Sequence, residues 1–229
     1  MSSSKPILFL GSNCSISQLA HSAKRCGYEV RGILDSDYHG NTSHVDGIPV
    51  IDTEENIESY KHDHQFFCAP NWMPLTDSVT IRNRDKRRHL IELINEQQLE
   101  MVSIIDPTAI VHDNCKIGRG VYIDWMTWIG PNVTIGDFSA VLGQTMVGHD
   151  TNIGSNCVIQ RQIAIAAEMT IEDEVYLATA CRLLKTGATI GRNTFVQESV
   201  LLRRGTVENE IIGVNSKNKK RIYTPAPLS

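Results

Sequence analysis

The residues best suited to chemistry in this 229-residue chain are His149 and Asp150, in the run Val147-Gly148-His149-Asp150. An imidazole titrates near neutrality and can take a proton from a reacting group. A carboxylate on its other ring nitrogen fixes the tautomer and steadies the imidazolium that forms. His112 follows Val111 in what reads as an equivalent slot. His62 and His64 form a lone H-x-H with no third ligand, so no metal site is expected. Six cysteines, at positions 14, 26, 68, 115, 157 and 181, include no CxxC pair. They read as buried small hydrophobes of a reducing cytosol.

The element that must carry His149 is a repeat. An aliphatic residue returns at every sixth position: Ile105, Val111, Ile117, Ile123, Ile129, Ile135, Val141, Val147, Ile153, Ile159, Ile165, Ile171 and Leu177. The frame then resumes one residue late at Leu184, Ile190, Val196 and Leu202, which implies an insertion near residues 179–182. A period of six fits neither a helix nor a flat strand. It predicts short extended segments separated by turns and stacked as a solenoid, three segments to a coil and about five to six coils. Small or β-branched residues such as Cys115, Thr127, Ser139, Thr145, Thr151 and Cys157 follow four positions after the aliphatics. Gly118, Gly130, Gly136, Gly148, Gly154 and Gly191 directly follow them and are expected to relieve turns of positive φ. His149, two residues past inward Val147, is expected at an outward turn.

The first hundred residues have a different grammar. Ile7-Leu8-Phe9-Leu10 leads into Gly11-Ser12-Asn13-Cys14-Ser15, then Ile16, Leu19, Ala20 and Ala23 recur at helical spacing, and residues 28–34 form a second apolar run ending at Asp35-Ser36-Asp37. This is a β-turn-α-β unit. Such a turn and helix N-terminus suit a phosphate, and such a carboxylate suits a ribose or base. Residues 48–51 and 65–69 read as further strands, and residues 82–98 as a helix burying Leu90, Leu93 and Ile94. Its basic face of Arg82, Arg84, Lys86, Arg87 and Arg88 reads as solvated. A net charge of −4 argues against nucleic acid or an anionic membrane as the main partner. No apolar run reaches transmembrane length and no leader pattern is seen, so a cytoplasmic protein is expected.

In this order, an α/β unit, a basic helix and a solenoid opening at Ile105-Asp106-Pro107-Thr108-Ala109, the chain resembles the sugar O- and N-acetyltransferases of the sialic acid and bacillosamine pathways, together with the perosamine and viosamine N-acetyltransferases. The resemblance covers nearly the whole length. It implies a Rossmann-like sugar-nucleotide-binding domain over 1–100, a left-handed parallel β-helix over 101–210, a tail over 211–229, and a homotrimer. It implies acetyl-CoA as co-substrate, no metal, and a nucleotide-linked amino deoxysugar as acceptor. Residue by residue, Gly11, Ser12 and Asn13 stand where the family binds the nucleotide, as do Asp35 and Asp37. The segment Phe67-Cys68-Ala69-Pro70-Asn71 resembles the one passing beneath it. His149 and Asp150 match the catalytic histidine and its acid, and Ala167 matches a glycine whose amide meets the thioester oxyanion and CoA. Gly213, in a segment lacking the family's proline, and Lys217 and Lys219 after it match the part covering CoA.

The resemblance implies direct attack of a sugar amine on the thioester, with His149 as general base. This chain departs from the pattern at Leu142, where the family has a polar Asn, at Val158, where it has a second His, and between residues 160 and 174, where its glycines are missing. A sugar O-acetyltransferase would use the same histidine. A non-catalytic sugar-nucleotide-binding solenoid is the other reading, while a metal-dependent hexapeptide enzyme would need a third histidine.

Overall fold

The aliphatic period becomes a stack of two-residue strands. Met146–Val147 pairs in parallel with Trp128–Ile129 on one side and Ala164–Ile165 on the other; partners lie 18 residues apart as far as the pair Ala164–Ile165 with Arg182–Leu183, and 19 apart in the pairs that span the inserted residue, such as Tyr176 with Phe195. Three sheets result, one of six strands and one of five, with a third in which Tyr122–Ile123, Ala140–Val141, Val158–Ile159, Tyr176–Leu177, Phe195–Val196 and Glu210–Ile212 are neighbours. This is a parallel β-solenoid. The computed structural model describes residues 5–12, 16–69, 78–213 and 221–222, in two compact units, Met1–Pro107 and Thr108–Ser229.

From Ile123 to Leu202 the second residue of each strand points inward. Ile123, Ile129, Val141, Val147, Ile159, Leu177 and Val196 are fully buried and join one core. Two expectations are corrected here. Leu183, not Leu184, continues the inward track, for Leu183 is fully buried and Leu184 is 43% exposed. The extra residue therefore lies between Leu183 and Ile190, at the turn where Gly187 has φ +71°, not near residues 179–182. At the start of the frame, Ile104 is the buried residue and Ile105 is exposed.

The glycines have a different role from the one expected. Left-handed backbone recurs every six residues, but from Met126 (φ 53°) through Asn132, Gln144, Asp150 and Gln162 to Ala180 (φ 61°) it is carried by residues other than glycine. The conformation costs an L-residue roughly 1–2 kcal/mol. It is offset because the turn amide reaches back to the previous coil, as from Asp150 to the Pro131 carbonyl at 2.9 Å. The glycines after the aliphatics instead allow coils to approach. A Cβ on Gly136 would lie 2.6 Å from the Gly154 carbonyl carbon, and one on Gly148 2.5 Å from the Ala167 nitrogen. The small-residue track has its own reason. Ser139, Thr145 and Thr151 donate their hydroxyls to the carbonyls of Gly154, Gln160 and Ala166, which lie at corners of the coil. The same oxygens accept the amides of Cys157, Ile163 and Met169. Buried corner groups are thus satisfied from within the repeat.

The first unit is α/β. β1 (Ile7–Leu10), β2 (Val30–Leu34), β4 (Ile48–Asp52) and β5 (Gln65–Cys68) form a parallel sheet in the order β4-β2-β1-β5, with β3 (His44–Val45) antiparallel at the edge. A two-residue turn, Asp46 (φ 49°) and Gly47 (φ 78°), joins β3 to β4 in the geometry such hairpins favour. Helix α1 (Ile16–Arg25) links β1 to β2 and buries Ile16, Leu19, Ala20 and Ala23. Helix α2 (Ser78–Glu96) buries Leu90 and Ile94 as expected, with Leu93 half-buried. Its basic face is not simply solvated: Arg87 is buried and Lys86 half-buried. The side chains of Arg82 and Arg84 lie outside the described residues.

Close approach and turn conformation make opposite demands, which can be tested. Gly136→Ala should lower the unfolding free energy by about 1–3 kcal/mol. Gln162→Gly should change it by no more than about 1 kcal/mol, because relief of the left-handed turn offsets glycine's extra freedom in the unfolded chain. Urea denaturation reads both, and equal losses would refute the assignment.

Candidate active site

His149 lies at a corner of the solenoid. Val147 anchors the strand in the core, Gly148 passes against the backbone of Ala167, and His149 then turns outward with its side chain 53% exposed. Its backbone is held by the coil ahead, where Glu168 donates its amide to the His149 carbonyl at 2.8 Å. Gly130 leaves room on the other side, since a Cβ there would come within 3.0 Å of the His149 nitrogen and against the Trp128 ring.

The side chain is oriented by Asp150, whose Oδ2 lies 2.6 Å from His149 Nδ1. With the proton on Nδ1, the Nε2 lone pair is left for a reacting group, and Nε2 meets no partner among the described residues. Asp150 Oδ1 accepts a hydrogen bond from Asn132 Nδ2 at 2.9 Å. Asn132 is engaged by Asn114, which donates from Nδ2 to its Oδ1 and accepts its backbone N–H at 3.2 Å. The hydrogen bond from His149, and then the one from Asn132, hold the Asp150 carboxyl below its ordinary range. Asn114 and Asn132 were not singled out from the sequence, although successive steps of 18 from Asn114 to Asn132 and on to Asp150 were there to be read.

One coil beyond, Ala167 is half-buried. Its carbonyl accepts the Gly187 amide at 3.3 Å, while its own N–H finds no acceptor among the described residues. Leu142 and Val158 are both buried. His112 does not share the slot of His149. Its amide bonds the Ile129 carbonyl as those of Gly130 and Gly148 bond Val147 and Ile165, so it aligns with the glycines, and its ring meets Trp128 edge-on at 5.9 Å. Burial pushes the Cys157 and Cys181 thiols up to about 12, so neither is a nucleophile near neutrality. No cluster of three metal-ligating side chains occurs among the described residues. The outward residues of the sheet that carries His149 are mostly apolar: Ile110, Met146 and Leu201 are each at least half exposed, with Trp128 and Ala164 in the same column.

In the first unit, Gly11 ends β1 with φ +70° and donates its amide to the Leu34 carbonyl. Ser12 is half-buried beside it; Asn13, Pro70 and Asn71 lie outside the described residues. Asp35 and Asp37 meet at a cation that the sequence reading had left on a solvated face. Lys86 Nζ lies 2.5 Å from Asp35 Oδ1, 2.6 Å from Asp37 Oδ2 and 3.6 Å from Glu54 Oε1. Burial works against the ammonium, but the hydrogen bonds it donates to Asp35 and Asp37 and the charges of Asp35 and Glu54 outweigh it and raise the Lys86 pKa. Glu54 also accepts the Ser36 amide and hydroxyl, so the loop after β2 is tied down at both ends. In the tail, Gly213 packs against the Gln197 side chain, and Lys217 and Lys219 lie outside the described residues.

Residues 98–183 match the family model described as the GMPPB C-terminal domain. The GDP-perosamine N-acetyltransferase of Escherichia coli O157:H7 is 28% identical over 110 residues, which is 48% of this chain and 49% of that protein. An acyl-(acyl-carrier-protein)–UDP-N-acetylglucosamine O-acyltransferase of Saccharophagus degradans is 33% identical over 108 residues, 47% of this chain and 39% of that protein. The chain thus spans half or less of these curated relatives. Among solved structures, PerB from Caulobacter crescentus in complex with CoA and GDP-perosamine superposes with a TM-score of 0.77 at 22% identity, covering 96% of this chain and 97% of that one. The similar proteins are acetyltransferases and acyltransferases, and perosamine N-acetyltransferases are among both the relatives and the solved structures. No helix among the described residues is long and apolar enough to cross a membrane.

The Lys86 cluster generates a stability prediction. Removing the cation strands Asp35 and Glu54, both buried, so Lys86→Met should cost about 3 kcal/mol at pH 7 in chemical denaturation. Because the folded pKa of Lys86 is raised, its contribution is complete below the ordinary lysine value and fades only as pH rises through the raised one. An unchanged denaturation midpoint at pH 7 would contradict the cluster.

Proposed function

We propose that this protein is an acetyl-CoA-dependent N-acetyltransferase acting on a nucleotide-linked amino deoxysugar. The observation that carries the reading is the exposed His149 held through Nδ1 by Asp150, which leaves Nε2 free as a base. An amine attacks a thioester only as the neutral base. His149 Nε2 takes a proton from the acceptor nitrogen as that nitrogen bonds to the thioester carbonyl carbon, and Asp150 steadies the imidazolium. The carbonyl oxygen gathers negative charge and meets the Ala167 N–H. Collapse breaks the carbon–sulfur bond, and the imidazolium returns its proton to the CoA thiolate. Products are the acetamido sugar and free CoA.

The first unit is read as the Rossmann-like nucleotide site. With β1 central, the chain runs outward to β2 on one side and crosses to β5 on the other, so β1 and β5 flank a topological switch point. Ligands of parallel α/β sheets bind outside the strand C-termini at such a point. Gly11 and Ser12 end β1 there, and Asp35 and Asp37 follow the adjacent β2. In this reading Gly213, Lys217 and Lys219 contribute to CoA. The apolar column of Ile110, Trp128, Met146 and Leu201 favours burial against other copies of the chain in a homotrimer of left-handed β-helices.

His149→Ala should reduce amino-sugar-nucleotide-dependent thiol release from acetyl-CoA by at least about 10²-fold; retention of wild-type rates would end the general-base mechanism. An O-acyltransferase is among the relatives, and the product separates the two acceptors, because an ester is cleaved in mild alkali and an amide survives. Sedimentation equilibrium at micromolar concentration should return the mass of three chains, and a monomer mass would exclude the assembly.

A further inference from the structure

We propose that Asn132 and Asn114 are positioning residues for His149: two side-chain amides, one per coil, that fix the Asp150 carboxylate and through it the tautomer and ring orientation of the base. The inference rests on the role of His149 proposed above.

The pair needs such support. His149 and Asp150 are neighbours in sequence, with side chains 53% and 48% exposed, and nothing in a solvated i,i+1 pair holds both in one geometry. A carboxylate accepts hydrogen bonds and cannot donate them. Each group facing Asp150 must therefore present an N–H. His149 presents Nδ1–H to Oδ2, which commits Nε2 to the lone-pair form, and Asn132 presents Nδ2 to Oδ1.

Asn132 could turn its amide over, and Asn114 opposes that. Asn114 Nδ2 points at Asn132 Oδ1, while Asn114 Oδ1 receives the Asn132 backbone N–H. Turning Asn132 over would set its carbonyl against the Asp150 carboxylate and its NH2 against that of Asn114. The polarity thus runs one way, from Asn114 through Asn132 and Asp150 to the ring. Asn114, Asn132 and Asp150 stand at equivalent corners of three coils, and Asn132 and Asp150 share left-handed backbone, so their side chains leave the turn alike.

Amide ladders also occur elsewhere in the solenoid. Gln162 donates to Gln144, and Asn193 to Asn209. Among the described residues neither ladder ends on an ionisable group. A ladder can therefore be purely structural, and the test must read something that a structural ladder would not move.

Asn132→Leu and Asn114→Leu keep approximate volume and delete the amides, and Gln162→Leu cuts a ladder in another column. In the full-length protein, nitrogen-15 NMR of the His149 ring should show the neutral form with its proton mainly on Nδ1. The Nε2–H form should grow in Asn132→Leu and, less so, in Asn114→Leu, and remain unchanged in Gln162→Leu. In the thiol-release assay, kcat should fall about ten-fold in Asn132→Leu with KM for acetyl-CoA unchanged, the size expected for losing a hydrogen bond to a charged group. A tautomer balance that stays at the wild-type value in both asparagine variants overturns the proposal, as does a kcat within about two-fold of wild type in a folded Asn132→Leu. If Asn132→Leu does not fold, Asn114→Leu decides. Should His149→Ala keep its activity while the tautomer still responds to Asn132, the catalytic reading falls and the relay stands.

Discussion

Each coil of the solenoid must lie close enough to the next for backbone amides to reach the carbonyls of the coil that follows, and most of the molecule's local choices answer to that requirement. Inward aliphatics fill the interior, but they do not set the spacing. The spacing is set by backbone hydrogen bonds such as Gly148 to Ile165 at 2.9 Å and Gly136 to Ile153 at 2.8 Å. Where two coils meet most tightly, a side chain as small as a methyl group would overlap backbone, and glycine is found. At the corners, left-handed residues send an amide backward and Ser or Thr hydroxyls cap the carbonyls that the strands leave over.

The same registry organises the candidate site. In a loop-built site, catalytic groups converge from distant segments and their geometry depends on how those segments pack. Here the groups stack in one column because equivalent corners are equivalent in backbone conformation. Asn114, Asn132 and Asp150 are connected by the repeat itself, and His149 is attached to the last of them. Trp128 and Met146 align on the sheet that leads into this corner by the same rule. The missing glycines between residues 160 and 174 leave this column intact, because the close approach it depends on is made by Gly130 and Gly148.

The first unit solves a different problem, that of gathering carboxylates beyond the ends of two neighbouring strands, β2 and β4. Asp35 and Glu54 are buried, and Ser36 and Lys86 satisfy them. Desolvation alone would expel these charges. A helix far along the chain supplies the counter-ion, and the loop after β2 gains a fixed shape. The free capacity of the more exposed Asp37 is then presented from a rigid base.

How much of this could be read beforehand follows from the range of each interaction. The solenoid, the inward track and the outward histidine were legible because they depend on periodicity, which a linear sequence displays in full. The β-turn-α-β unit was legible for the same reason. The insertion was misplaced because Leu183 and Leu184 are chemically alike and only the pairing of Arg182–Leu183 with Ala164–Ile165 decides which points inward. The role of the glycines was misjudged because close approach is a property of two coils, and one coil's sequence carries no sign of it. Lys86 looked like part of a solvated face until α2 brought it to Asp35, 51 residues away. By itself, then, the sequence determined the period, the core and the adjacency of His149 and Asp150 at an outward turn, since those are local or repeating. Which polar groups hold that pair, and which cation neutralises the buried acids, only the tertiary structure decided, because hydrogen bonds and ion pairs act over a few ångströms in space and are indifferent to separation along the chain.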